Sequence, residues 1–119
     1  MFTICRTHAF DRAAAAAVMT EDEIDALVGM IAENPLAGDL IQGSGGCRKV
    51  RVAGRGKGKS GGHRTIMFFG GNDVPVFLLT VFGKGEKSSL SQAEVNSLRV
   101  LTGTLVEEYR KRVVTPGVR

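Results

Sequence analysis

Seven cations lie between Leu40 and Asn72, at Arg48, Lys49, Arg51, Arg55, Lys57, Lys59 and Arg64, and no carboxylate interrupts them. Lys and Arg bring hydrogen-bond donors and positive charge. Held in place, such groups grip phosphate oxygens and offset negative charge that develops on a phosphorus centre. The rest of the chain is charged differently. Residues 1–39 carry seven acids against two bases, a balance of −5; residues 40–72 stand at +7; residues 73–119, with seven bases and five acids, stand at +2. A basic block set apart in this way is the footprint of a polyanionic partner. The plainer alternative is a solvated basic loop.

Within the block, AGRGKGKSGG (Ala53 to Gly62) ends in Gly-Lys-Ser, as a nucleotide-binding P-loop does. A P-loop needs its first glycine where this chain has Ala53, and a helix directly after the Ser. After Ser60 come Gly-Gly and a β-branched, aromatic run. The reading is a glycine-rich connection between two strands, with Arg55, Lys57 and Lys59 supplying charge and the glycines allowing close backbone approach to a ligand.

Pattern predicts the elements that must position these groups. Phe2 to Arg6 reads as a strand, and the alanine run 13–17 as helix. Thr20 with Glu23 forms a capping box, after which Ile24, Leu27, Val28 and Ile31 recur at helical spacing until Asn34-Pro35 ends the run. Cys47 to Ala53 alternates as a strand, and two more strands are read at His63 to Phe69 and Val76 to Phe82, with Gly70-Gly71-Asn72-Asp73 as the turn between them. Ser91 with Glu94 opens a final helix whose stripe is Val95, Leu98, Leu101 and Leu105, and residues 112–119 read as a frayed tail. The order β-α-α-β-β-β-α implies an α+β fold: an antiparallel sheet of about four strands with helices packed on one face. At 119 residues, 43% apolar and 24% charged, the chain is read as a single domain, residues 1–119.

Strand parity gathers the candidates. Lys49 and Arg51 share one face of their strand; Arg64, Ile66 and Phe68 share a face of the next; Thr80 and Phe82, with Lys84 just beyond, share a face of the last, while Phe77, Leu79 and Val81 read as core. The result is a groove walled by Lys49, Arg51, Arg64 and Lys84. Phe68 and Phe82 are either platforms for stacked bases or core residues. His63 is the histidine beside the patch; imidazole suits proton transfer near neutral pH, although alternation points it away from Arg64.

Two cysteines, Cys5 and Cys47, make neither a disulfide framework nor a CxxC pair, and read as small core residues. No carboxylate or histidine cluster has metal-ligand spacing, so no metal and no cofactor are expected. No apolar run reaches membrane-spanning length, and MFTICRTHAFDR lacks a basic leader with an apolar stretch behind it. A cytoplasmic protein without membrane contact is expected.

The run GGCRKVRVAGRGKGKSGGHRTIMFF, the preceding ENPLAGDLIQGSGG and the later VFLLTVFGKGEKSSLSQAE resemble the RelE/HigB-type toxins of bacterial type II toxin–antitoxin modules, from about Glu33 to Ala93. The resemblance implies an endoribonuclease that cuts messenger RNA on the translating ribosome, without a metal, by attack of the RNA's own 2′-hydroxyl on the adjacent phosphate. It also implies a cognate antitoxin, often of helix-turn-helix type. By the same resemblance Lys49 and Arg51 lie near the scissile phosphate, Arg64 matches the arginine that opens the next strand, and Lys84 matches a basic position after the last. His63 joins these as a candidate proton shuttle. Arg48, Arg55, Lys57, Lys59 and Lys87, with Phe68 and Phe82, make up the candidate contacts to RNA or ribosome. One departure matters: many relatives have Tyr where this chain has Phe82, which has no hydroxyl to accept a proton. Two other functions fit the same basic face: a module that binds RNA or DNA without cutting, and a regulatory partner whose patch engages only an antitoxin.

Overall fold

A computed structural model describes residues 2–54, 58–71, 73–83 and 90–118, and the side chains among these outside 52–61 and 112–118. The chain opens with β1 (Ile4–Arg6) and turns at Thr7 into α1 (His8–Ala16). The Thr7 hydroxyl accepts from the Phe10 N–H at 3.1 Å, capping the helix, and donates to the Leu78 carbonyl at 2.7 Å, tying the cap to the sheet. The alanine run is therefore the second half of a helix that starts at His8. The Thr20–Glu23 capping box forms as expected, with reciprocal bonds of 3.1 and 2.8 Å, and opens α2 (Glu21–Glu33). Beyond α2, the Asn34 side chain accepts from the Leu36 N–H at 3.2 Å and turns the chain toward the sheet.

Next in the chain are β2 (Asp39–Leu40), β3 (Cys47–Gly54), β4 (Gly58–Phe68) and β5 (Val76–Gly83), then α3 (Gln92–Val118). The fold is α+β, and three details differ from expectation. The sheet has five strands in the order β1-β5-β4-β3-β2, because two residues at Asp39–Leu40 pair with Arg48 and Lys49. β1 runs parallel to β5, the rest of the sheet being antiparallel. The helices cover both faces. Phe10, Ala14, Ile24, Leu27 and Ile31 of α1 and α2 pack on Val50, Met67, Val76, Leu78 and Val81; α3 brings Leu98, Leu105, Val106 and Tyr109 onto Cys47, Ile66, Phe68, Phe77, Leu79 and Phe82 on the other side. β5 is apolar on both faces, and so is the Ile66–Phe68 end of β4, so a second covering element is required. α3 also continues to Val118, through the expected tail.

A bulge adjusts the parity of β5. Ile66 pairs with Thr80 and Met67 with Leu78, leaving Leu79 without an opposite residue. Phe77 and Phe82 thereby fall on the same face, under α3, whereas Val81 joins the α1–α2 core instead of siding with Phe77. α3 itself is rotated from the expected stripe: Thr102 is 3% exposed and Leu101 41%.

Between β2 and β3, Ser44 is fully buried; its hydroxyl donates to the Ile41 carbonyl at 2.6 Å and accepts from the Cys47 N–H at 3.0 Å. Beside it Gly45 has φ +83°, and a Cβ there would lie 2.8 Å from the Thr102 hydroxyl. This loop is the seat on which α3 rests.

Candidate functional site

The register places the cations. Lys49 lies opposite Ile66, Arg51 opposite Arg64, and Arg64 in turn opposite Phe82. Directly opposed residues of antiparallel strands share a face, so Lys49, Arg51 and Arg64 form one patch, as parity suggested. Arg51 is exposed; Lys49 and Arg64 are half-buried. All three line a depression of about 460 Å³ at the β2–β3 side of the sheet, together with Asp39 and Gly38. Among the described residues, neither Arg51 nor Arg64 has an ion-pair partner. Two smaller hollows adjoin the patch. One of about 250 Å³ is bounded by Asp39, Lys49, Leu90 and Val95, and one of about 310 Å³ by Ile66, Thr80, Leu90, Glu94 and Leu98. The start of α3 therefore forms a wall.

The backbone that presents the patch is tightly held. Gly38 has φ +81°, and a Cβ there would meet the Lys49 carbonyl and lie 2.9 Å from Val50 Cγ2. Arg48 points to the opposite face from Lys49 and donates at 3.0 Å to the carbonyls of both Leu36 and Gly38. Expected among the RNA contacts, Arg48 is found bracing the turn that leads into β2.

Of three other candidates, one lies on the opposite face and two are buried, although Phe82 is directly opposite Arg64. His63 alternates with Arg64 onto the α1 side, where its Nε2 is 3.3 Å from the Ala17 carbonyl; the strand does not twist it into the groove. Phe68 and Phe82, 3% and 7% exposed, are packed under α3, with Phe68 stacked on Phe77 at a centroid separation of 6.3 Å. Buried rings of this kind offer no free face to a base, so the core alternative holds for both. The backbone of Lys59 belongs to β4, which begins directly at Gly58 after the hairpin tip; no helix starts there, and the P-loop comparison ends with it. Arg55, Lys57, Lys84 and Lys87 lie outside the described residues, as does the side chain of Lys59.

Sequence reasoning passed over Asp39, which the structure sets opposite Lys49. The available signal was its position: the last acid before the basic block, directly after the Ala-Gly of the NPLAG turn. Burial raises the Cys47 thiol to about 11, offset in part by its hydrogen bond with Ser44, so this cysteine is a protonated core residue. Among the described residues, no group of three or more His, Cys, Asp or Glu is placed to hold a metal ion, and no helix is long and apolar enough to cross a membrane.

Residues 2–115 match the family described as RelE toxin of the RelE/RelB toxin–antitoxin system. The chain belongs to the RelE toxin family. The match takes in β1, α1 and α2 as well as the basic hairpin. Membership makes this RelE-family chain the toxin component of a toxin–antitoxin system, with a cognate antitoxin as its partner.

Proposed function

We propose that this chain is an endoribonuclease that cuts messenger RNA on the translating ribosome by attack of a 2′-hydroxyl on the neighbouring phosphate. The observation that carries the reading is the Arg51–Arg64 pair. Two arginines stand directly opposite one another on adjacent strands, and neither forms an ion pair among the described residues. Like charges so placed cost stability. A phosphate lying between them removes that cost, and its charge grows as the pentacoordinate transition state forms. Arg64 is better fixed than Arg51, being half-buried and paired on both sides, to β3 and β5. A guanidinium offers a planar fork to two phosphate oxygens, which an ammonium does not.

One feature favours binding without cutting: Phe82 has no hydroxyl, and its ring is in the core. Growth after induction, primer extension on a translated mRNA and a melting curve separate the two readings. With Arg64→Ala, cleavage should fall about a hundred- to a thousandfold, as for loss of one fixed donor to a transition state, with the fold kept. Arg64→Lys should recover only part. A parental chain that leaves growth and mRNA intact yet binds RNA with steep salt dependence would be a binding module. A folded Arg64→Ala variant that cuts at the parental rate would remove Arg64 from the chemistry.

A further inference from the structure

Thr80 stands out within β5. From Val76 to Phe82 it is the one polar residue and the one that is not buried. Pairing puts Thr80 opposite Ile66 and Ile66 opposite Lys49, so the three form one rung across the sheet. The neighbouring rung is Arg51, Arg64 and Phe82. Over the Ile66–Thr80 end of the first rung lies the hollow of about 310 Å³, closed by Leu90, Glu94, Ser97 and Leu98. Ala93 and Ser97, one turn apart on α3, are both small, which keeps the space open. The hydroxyls of Thr80 and Ser97 make no hydrogen bond with the described residues.

We propose that this hollow seats a nucleobase of the bound RNA and that Thr80 reads its edge. The inference rests on the endoribonuclease reading above. A hollow with apolar walls and a few placed polar groups suits a flat heterocycle, whose faces are apolar and whose edge carries donors and acceptors. Single-stranded RNA is read in this way, on the edges of unstacked bases. The charge fits a base better than a phosphate: among the described residues no cation lines the hollow, and Glu94 does. The position fits as well. Arg64 and Ile66 share a face of β4, about 7 Å apart along the strand. A phosphate held by the Arg51–Arg64 rung therefore has its base within reach of the next rung.

The polar groups favour one kind of base. The Glu94 carboxylate is held by accepting from the Ser91 N–H at 2.8 Å, and a carboxylate has capacity for further donors. The Thr80 and Ser97 hydroxyls donate or accept. A base with an exocyclic amino group (adenine, cytosine or guanine) meets these acceptors, and uracil, which lacks one, is the poorest fit. Seating the base fixes the nucleotide against the arginines, so the preference appears in the rate of cutting.

The test uses the full chain on ribosomes programmed with mRNAs that differ by one nucleotide at a time around the cut. Single-turnover rates are measured, with affinity for the same RNAs and thermal melting alongside. At one position the parent should cut the best amino-bearing base about tenfold faster than uracil, as for one hydrogen bond gained or lost. Thr80→Val removes the hydroxyl and keeps the branched shape. It should bring that ratio close to one, leave the ratios at other positions alone and melt at or above the parental temperature. Ser97→Phe, whose ring is directed back along α3 toward Ala93, should fill the hollow, slow cutting of the best RNA and erase the same preference. A parent with no base preference, or folded variants that both keep it, overturns the assignment and leaves the endoribonuclease reading standing. Uniform slowing on every RNA with unchanged ratios also overturns it. A parent that never cuts fails the endoribonuclease reading alone; the hollow then stands if affinity shows the preference and Thr80→Val removes it, and falls otherwise.

Discussion

One face of the sheet divides into two ends with opposite physics. Along β3, Cys47 is fully buried, Lys49 half-buried and Arg51 exposed; along β4, Phe68 and Ile66 are buried and Arg64 is half-buried. The positions alternate identically and the strands continue without a break between the ends. What changes is the cover. α3 starts at Gln92, beside Ile66 and Thr80, and lies over the Phe68–Phe77 end, whereas the end toward the β3–β4 hairpin tip holds cations. The covered end shows what the sheet looks like when stability is the only demand. Among the described residues the other end departs from it in setting like charges face to face, and the proposed site rests on that departure.

The largest effect should come from the covered end. Phe68→Ala removes a ring that is 3% exposed and stacked on Phe77, and loss of such a buried aromatic costs about 3–5 kcal/mol. Chemical denaturation should show that loss, while RNA cleavage per folded molecule stays close to parental. The reverse result, a stable variant with poor RNA binding, would make Phe68 a stacking platform and erase the distinction between the ends.

A middle effect falls on the seam between them. Gly45→Ala puts a Cβ at φ +83° and within 2.8 Å of the Thr102 hydroxyl, a buried group on α3. A strained backbone position of this kind costs about 1–3 kcal/mol. Hydrogen exchange should quicken first in α3 and in the loop from Gly43 to Gly46. Uniform quickening across the sheet would mean that α3 is not a separately docked element.

These expectations depend on features that the sequence showed unequally. The capping boxes at Thr20 and Ser91 were legible because each is complete within four residues; Ser91 and Glu94 exchange bonds of 2.8 and 3.1 Å. The grouping of Lys49, Arg51 and Arg64 was legible because alternation along a strand is local, and so was the turn of His63 away from Arg64. Pairing is not local. A two-residue β2 has no pattern of its own, and it exists because Arg48 and Lys49 offer it an edge. The Leu79 bulge is a property of how β5 meets β4, so parity counted along β5 alone misplaced Val81. α3 presents Thr102 inward and Leu101 outward because its angle is fixed by the Gly45 seat, and not by the apolar stripe alone. Asp39 escaped notice because its place opposite Lys49 is set by the β2–β3 register and by no local pattern.

The smallest effect, opposite in sign, tests the open end. Arg51 faces Arg64 across the ladder, and Arg51 is the more exposed of the two. Opposed like charges at such a pair cost about 0.2–1 kcal/mol, toward the low end where water screens them. Arg51→Ala should therefore leave stability unchanged or raise it by a few tenths of a kcal/mol, and the gain should shrink as salt is added. RNA affinity should fall at the same time, and the slope of log affinity against log salt should flatten by about one, as expected for loss of one phosphate contact. Arg51→Glu carries the argument further: a carboxylate opposite Arg64 makes a favourable cross-strand pair, so this variant should be the more stable one and bind RNA the least. If instead Arg51→Ala is clearly less stable than the parent, the arginine serves the fold through its stem or an unrecognised contact. The opposed pair is then no longer a mark of the ligand, and the two ends of the face differ only in how much of each α3 covers.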